Sequence, residues 1–165
     1  MKVVDLNVDV VINRPVEEVF AYMGNPENNV NWQSHCLGSV ITSEGPIGVG
    51  TTFTDEIKLL GRRIKQIFEI TEYDPNRKFS NKSISGPMGA TGTYTFESVE
   101  GGTKVTVAGR VEPSGLFKLI KPIIIREGKK EWESSLANLK GLLEATSTLE
   151  EALPEEASVT PSMSH

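Results

Sequence analysis

The chain has 165 residues, of which 38% are hydrophobic, so it is long enough for one domain with a real core and too short for two comfortable ones. Its 17 Lys and Arg against 22 Asp and Glu give a net charge of -5, and four of the acids lie in the last 16 residues. Without these four acids the net charge is -1, so the domain has no overall field that would attract nucleic acid.

The cellular compartment is indicated by two further features. Cys36 is the single cysteine, which excludes an intrachain disulfide and is typical of a reducing compartment. Asp5 and Asp9 interrupt the apolar residues at the start of the chain, unlike the core of a secretory signal, and no segment approaches the roughly 20 apolar residues that span a bilayer. We therefore expect a cytoplasmic protein.

The first predicted elements are a strand and a short helix. Residues 4–12 have apolar side chains at the even positions and mostly polar ones between them, which predicts a strand with one buried face. Pro15 suits the first turn of a helix and Gly24 suits its end. Residues 25–33 are expected to form a loop or a short helical turn, anchored by the packing of Trp32.

Six further strands are predicted from short alternating segments separated by turn residues. A tight turn at Gly61 joins two of them into a hairpin. The glycine-rich stretch at residues 86–92 is expected to act as a flexible lid, and it is no phosphate loop because no Lys-Ser or Lys-Thr follows its glycines. The six strands are predicted at residues 40–42, 51–60, 62–71, 78–85, 91–99 and 103–111.

In the stretch 115–145, apolar or small residues recur at steps of three and four after Pro122, which predicts a long amphipathic C-terminal helix. Gly128 and Ser135 place little side chain on its apolar stripe. Two interpretations of these gaps are open. The small residues pack closely against a strand, or the helix closes one wall of a ligand cavity.

These elements predict an α+β fold, in which the final helix covers one face of an antiparallel sheet of about seven strands and a short helical insert follows the first strand. We expect residues 1–145 to form this domain. Residues 146–165 contain Ser, Thr, Glu and Pro and no aromatic residue, so they are expected to form an acidic disordered tail.

Seven short patterns, in the same order, resemble the START-like, helix-grip superfamily (SRPBCC), and most closely its polyketide cyclase/dehydrase and lipid-transport branch. The resemblance implies a sheet that grips the last helix around an apolar cavity, which opens near the start of that helix. It does not imply a reaction, because one scaffold hosts carriers, receptors and enzymes. The patterns are RPVEEVF at 14–20, NP at 25–26 with Trp32, GVGTTF at 48–53, YDP at 73–75, YTF at 94–96, GTKVT at 102–106 and LKGLLE at 139–144.

Strand alternation turns four polar residues toward the expected interior: Asp55, Gln66, Asn81 and Ser83. If Asp55 is desolvated, its pKa is raised and it can serve as a catalytic acid or base. The alternative is that Asp55 lies near a sheet edge, reaches water and has no role. Gln66 and Asn81 either bind a ligand or belong to a structural network.

The cavity implied by the resemblance has a wall and a mouth. The mouth combines bulky apolar residues with cations, which suits a transient contact with a membrane surface or an amphipathic ligand, although snorkelling Lys and Arg above buried aliphatic residues explain it equally well. We expect the wall to comprise Phe53, Asp55, Ile57, Gln66, Phe68, Asn81, Ser83, Tyr94, Phe96, Val107, Ile125, Gly128 and Trp132. The expected mouth residues are Leu60, Arg62, Met88 and Phe117.

Three functions fit these predictions. The first is a carrier or sensor that binds a small hydrophobic or amphipathic molecule, such as a lipid or a polyketide-like compound. The second is a cyclase, dehydratase or hydrolase that uses Asp55, although no His is expected in the cavity. The third is a module that binds a protein partner through the exposed sheet face and would have a filled interior.

The sequence predicts no metal ion and no cofactor. The two His and one Cys have no spacing typical of a metal site, and there is no dinucleotide-binding pattern. His35 and Cys36 are adjacent, so in a strand they would point to opposite faces and could not form a nucleophile and base pair.

Overall fold

The computed structural model describes the backbone of residues 4–152 and the side chains of residues 4–145. It has one seven-stranded antiparallel sheet, in the order β1-β7-β6-β5-β4-β3-β2, and a long C-terminal helix. The α+β prediction is therefore confirmed. The strands are β1 (Leu6–Ile12), β2 (Cys36–Ile41), β3 (Thr52–Leu59), β4 (Arg62–Asp74), β5 (Lys78–Ser85), β6 (Met88–Val99) and β7 (Gly102–Pro113), and the helices are α1 (Val16–Met23), α2 (Asn29–Trp32) and α3 (Lys121–Ala152).

The sheet is curved, and irregular pairing contributes to the curvature. The β2–β3 pairing shifts register between Cys36 and Gly38, and the β4–β5 pairing shifts twice, next to Ile67 and again next to Glu72. Such bulges bend a strand and increase its local twist. The bent sheet turns its concave face toward α3.

The hydrophobic core fills one end of the space between the sheet and the helices. Phe20 of α1 lies at its centre, with ring centroids 5.1 Å from Phe96, 5.3 Å from Tyr73 and 5.9 Å from Phe79, all in edge-on arrangements that aromatic quadrupoles favour. From α3, Leu136 and Leu139 complete this cluster and are almost fully buried.

The C-terminal stretch that begins at residue 115 contains two elements. A 3₁₀ turn, Gly115–Ile120, precedes α3, which begins at Lys121. Pro122 lies at the first turn of α3, where its missing N–H is tolerated and its fixed φ suits the helix. The backbone remains helical to Ala152, so α3 passes the predicted domain boundary at residue 145. Residues 153–165 of the predicted tail lie outside the described part of the chain.

The predicted flexible lid at residues 86–92 is wrong. Strand β6 begins at Met88 and pairs with β7 from there onward. Two side chains, one from β4 and one from β5, also bind this segment. The backbone N of Met88 donates to Oε1 of Gln66 (2.9 Å), and the backbone N of Ala90 donates to Oγ of Ser83 (2.9 Å). The glycines are therefore built into the sheet.

Candidate ligand-binding cavity

A cavity of about 550 Å³ lies between the concave face of the sheet and the first half of α3. Its walls come from β1 and strands β3 to β7, from α2 and the turn after it, and from α3. This volume is within the range of small-molecule sites, about 300 to 1,000 Å³. The end of the space opposite the hydrophobic core is thus unfilled by side chains.

Most of the residues predicted to face the interior do line this cavity. The opposed rings of Phe53 and Phe68 are stacked at 5.5 Å on one side of it. Leu60 and Met88, two of the predicted mouth residues, also line it. The predicted wall residues that line it are Phe53, Asp55, Ile57, Gln66, Phe68, Asn81, Tyr94, Val107, Ile125, Gly128 and Trp132.

Four predicted residues lie elsewhere. Phe96 is buried in the hydrophobic core against Phe20, because β6 passes over α1 at this point. Ser83 uses its hydroxyl oxygen to accept the N–H of Ala90. Arg62 is exposed at the β3–β4 turn, and Phe117 is half-buried in the 3₁₀ turn before α3, outside the cavity wall.

An aromatic floor separates the cavity from the core. The Trp132 ring lies 6.0 Å from Tyr94, 5.8 Å from Trp32 and 5.4 Å from the imidazole of His35. Tyr94 in turn stacks on Phe79 at 4.4 Å. We define the rings of Trp132, Tyr94, Trp32, His35 and Phe79 as the aromatic floor, in which the three neighbours of Trp132 are inclined to it by 60 to 65°.

Gln66 lines the cavity, but its amide forms structural hydrogen bonds. Oε1 accepts from the backbone N of Met88 and Nε2 donates to the carbonyl of the same residue. The side chain thus pairs with β6 as a neighbouring strand would. A Cβ at Gly86 would overlap the Gln66 amide, and its φ of +120° also favours glycine, so both residues are fitted to this bridge.

Asp55 is a buried acid of the cavity wall with a strongly shifted pKa. It is 5% exposed and lies between Ser39 of β2 and Gln66 of β4 in the sheet register. The interpretation that it reaches water at a sheet edge is therefore wrong. Burial raises the pKa of Asp55 to about 6, although the neighbouring Ser39 and Asn29 side chains oppose this rise. Its buried Oδ1 has no hydrogen-bond partner of standard geometry.

Tyr94, on β6, has a polar end within the same wall. Burial raises the pKa of its phenol, and the nearby Asp55 carboxylate raises it further, while a hydrogen bond with Asn81 lowers it. Asp55, Asn81 and Tyr94 therefore form one polar region within the mainly apolar cavity. Asp55 is the only carboxylic acid of the three.

His35 was not predicted to reach the cavity. It lies in the turn between α2 and β2, where the alternation that placed His35 and Cys36 on opposite faces does not apply, and it lines the cavity, so the expectation that no His lies there is wrong. Nδ1 is buried without a partner. Burial lowers the pKa of His35, and the carboxylate of Glu131 opposes this change. Asn29 and Gln33, both buried, also line the cavity from this region.

The turn that positions His35 is fixed to α3. The backbone N of Ser34 donates to Oγ of Ser135 (2.9 Å), and Oγ of Ser34 bonds to the carboxylate of Glu131. Oγ of Ser135 also donates to the carbonyl of Glu131 (2.7 Å). No alternation pattern covers such a turn, and only the small Ser135 on the apolar stripe of α3 signalled an unusual neighbour.

Cys36 is chemically inert in this position. Burial raises the pKa of its thiol to about 12, and Asp55 contributes to this rise, so no thiolate is available near neutral pH. Within residues 4–145 there is no group of three His, Cys, Asp or Glu side chains that could hold a metal ion. No helix in the described region is both long and apolar enough to cross a membrane.

The family follows from comparison with known proteins. Residues 3–144 match the model of the family described as polyketide cyclase / dehydrase and lipid transport. The chain therefore belongs to this family, within the START-like superfamily, as the sequence resemblance predicted. No curated protein matches the chain.

Several solved structures share the fold. TTHA0849 from Thermus thermophilus is 18% identical, with a TM-score of 0.75 over 86% of this chain and 98% of the other. A START superfamily protein from Mycobacterium smegmatis is 13% identical, with a TM-score of 0.72 over 85% and 97%. The Zhui aromatase/cyclase from Streptomyces sp. R1128 is 11% identical, with a TM-score of 0.66 over 84% and 92%. At these identities the likeness shows the fold alone.

Proposed function

We propose that the protein binds a small hydrophobic or amphipathic molecule, such as a lipid or a polyketide-like compound, as a carrier or sensor. The observation that supports this function is the cavity of about 550 Å³ with stacked and edge-on aromatic rings on its walls. A protein-binding module would be favoured by a filled interior, which the cavity argues against.

Affinity would come mainly from apolar burial, at roughly 25 cal/mol per Å² of apolar surface. Gly128 supports this view, because a Cβ at this position of α3 would meet no atom within 4 Å. A helix residue that faces a packed core has neighbours at contact distance. The open space beside Gly128 is therefore available to a ligand.

The proposal is tested first by native mass spectrometry of protein purified from its own source, with extraction and identification of any bound compound. A stoichiometric apolar compound would support it. A protein that is empty and that also fails to bind a hydrophobic dye would contradict it.

Two matched variants test whether the dye binds in this cavity. In Gly128→Phe the new ring would occupy the cavity, whereas in Gly141→Phe, also on α3, it would point into solvent, because Gly141 is exposed and likewise has no neighbour within 4 Å. We expect dye affinity to fall at least about tenfold only in Gly128→Phe. Equal affinity in both variants would place the bound dye outside the cavity.

A second candidate function is an enzyme, a cyclase or dehydratase that uses the same cavity. It is favoured by Asp55, whose pKa of about 6 is close to the value that suits general acid-base catalysis near neutral pH, and by His35 in the same cavity. With a substrate identified from the extraction, Asp55→Asn would retain binding and abolish turnover. Unchanged turnover in this variant would remove Asp55 from the mechanism.

A transient membrane contact would suit delivery of such a ligand. Leu116 and Leu119, in the 3₁₀ turn before α3, are 84% and 80% exposed, and Lys118 and Lys121 accompany them. Apolar residues with flanking cations favour an anionic lipid surface. We expect sedimentation with anionic vesicles to fall when both leucines are changed to Ser, and to be unaffected by Val49→Ser, an exposed control on another loop.

A further inference from the structure

Two glutamines line the cavity, and only one of them has a paired carboxamide. Gln66 bonds through both ends of its carboxamide to the backbone of Met88. Gln33, at the end of α2, is 6% exposed, and its side chain has no hydrogen bond to any described residue. Its backbone is paired, because the N–H donates to the carbonyl of Asn29 and the carbonyl accepts from the N–H of Cys36. The unpaired polar groups of Gln33 are therefore the oxygen and nitrogen of its side chain.

The carboxamide of Gln33 also has open surface. Among the described residues, a few buried polar side-chain atoms have neither a partner nor open surface, and Oε1 and Nε2 of Gln33 are not among them. Both atoms lack a partner, so both must have open surface. Because Gln33 as a whole is nearly buried and lines the cavity, we take this surface to face the cavity. The sealed, unpartnered atoms are Trp32 Nε1, His35 Nδ1, Ser39 Oγ and Asp55 Oδ1.

Two further carboxamides place Gln33 at the inner end of the cavity. Asn29, Gln33 and Asn81 also line a second cavity of about 10 Å³, whose other walls include residues of the hydrophobic core. This volume is at the lower limit for one water molecule, so the ligand itself stays in the larger cavity. The side chains of Asn29 and Asn81 already interact with Asp55 and Tyr94. Gln33 is thus the carboxamide of this group that keeps both its donor and its acceptor for a ligand.

We propose that Gln33 binds an uncharged carboxamide or lactam group at the inner end of an otherwise apolar ligand. Such a group has an acceptor and an N–H donor side by side, so it can form two antiparallel hydrogen bonds with the Gln33 side chain. An anionic group is disfavoured, because no Lys or Arg is buried among the described lining residues and the Asp55 carboxylate lies in the same wall.

The inference rests on the proposed binding function and narrows its ligand class. The aromatic floor and the other apolar walls supply most of the affinity, whereas Gln33 determines specificity. A ligand with an apolar inner end would displace water from the Gln33 carboxamide and leave it unpaired, and sites built to form hydrogen bonds reject such ligands.

The test uses two uncharged fluorescent probes, 4-(1-pyrenyl)butanamide and methyl 4-(1-pyrenyl)butanoate, which share a carbonyl group and differ in the N–H donors. Their affinities are measured by fluorescence titration at pH 8. The wild-type protein should bind the amide at least as tightly as the ester, although the amide loses more hydration on burial. In Gln33→Met, which has a similar length but no amide, the preference for the amide over the ester should fall at least about tenfold.

Two controls accompany this comparison. Asn31→Leu removes an exposed carboxamide from the same helix, outside the cavity wall, and should leave the preference unchanged. The anionic probe 4-(1-pyrenyl)butanoate should bind to the wild-type protein more weakly than the amide does.

The outcomes are distinct. Tighter binding of the ester or of the anionic probe than of the amide by the wild-type protein, or a preference that is unchanged in Gln33→Met, would overturn the inference and leave the binding function in place. Binding of none of the probes, together with no uptake of a hydrophobic dye, would overturn the binding function and this inference with it. The comparison of probes within the wild-type protein provides the test even if Gln33→Met fails to fold.

Discussion

The two halves of α3 share one amphipathic pattern but have different roles in the structure. In the part from Ser135 onward, which we call the core half, Ser135, Leu136 and Leu139 are at most 2% exposed and pack into the core and the turn after α2. In the part before Ser135, which we call the cavity half, Ile125 and Gly128 border the cavity. The core half therefore stabilises the fold, and the cavity half is less closely packed because it borders the cavity.

The comparison shows why a small residue in an apolar stripe is ambiguous. Ser135 is small because the backbone N of Ser34 approaches it and donates to its hydroxyl. Gly128 is small beside open space, since a Cβ there would have no neighbour within 4 Å. Ser135 is thus a case of close packing, against the turn after α2 instead of a strand, and Gly128 borders the cavity for which we propose a ligand.

Truncating one apolar residue in each half of α3 should show the largest difference in stability between the two halves. Leu139→Ala should lower the free energy of unfolding by about 2 to 5 kcal/mol, because Leu139 is fully buried in the core. Ile125→Ala should lower it by less than about 1 kcal/mol, because this side chain is half-buried and faces an existing cavity. Urea denaturation measures both, and equal losses would contradict the division of α3.

In the cavity wall, the ionised Asp55 carboxylate lowers the free energy of unfolding. Its pKa of about 6 in the folded protein, against an ordinary 3.8, means that the folded state binds the proton more tightly than the unfolded state. Stability therefore falls as pH rises from about 4 to 6, by about 3 kcal/mol in total.

We expect Asp55→Asn to remove this cost and to be about 3 kcal/mol more stable than the wild-type protein at pH 8. The difference should shrink at pH 4.5, where Asp55 is protonated in the folded state. Denaturation at both pH values, with Asp9→Asn as an exposed control, measures it. A gain that is the same at both pH values would show that the cause is not the ionisation of Asp55.

The contact that fixes the His35 turn to the core half of α3 predicts a smaller effect. Ser135→Ala should lower stability by about 1 to 3 kcal/mol, because the backbone N of Ser34 would lose its acceptor. The adjacent Ser134→Ala alters an exposed side chain and should have almost no effect. If both variants were equally stable, the hydroxyl of Ser135 would contribute nothing to holding this turn.

The smallest expected change in stability comes from adding a methyl group beside the cavity, at Gly128. Gly128→Ala and Gly141→Ala should each raise stability by about 1 kcal/mol, because Ala favours helix and neither methyl group would meet a neighbour. Thermal denaturation of the two variants side by side measures this. A loss of stability only in Gly128→Ala would mean that α3 packs more closely there than the structure shows.

Much of the fold was predictable because the side chains of the strands and helices face the directions that their sequence periodicities predict. The period of two placed Asp55 and Gln66 on the inward face, and both are buried there. The period did not show that the Gln66 amide would bridge to Met88, because that bond joins residues 22 positions apart across two strands.

The candidate site was less predictable because part of it comes from irregular structure. His35, Asn29 and Gln33 reach the cavity from α2 and the turn after it, where no periodicity assigns a direction to a side chain. Phe96 was misplaced for a different reason. Alternation gives the face of β6 on which it lies, but not whether that part of the face meets α1 or open space.

The aromatic floor also gives this protein an internal optical reporter. The chain has two tryptophans. Trp32 is 1% exposed in the core, while Trp132 borders the cavity and lies 6.0 Å from Tyr94. Because indole emission depends on the polarity around the ring, a molecule that displaces solvent beside Trp132 should shift the intrinsic emission spectrum. Occupancy of the cavity can thus be followed without a label, during purification as well as in titration.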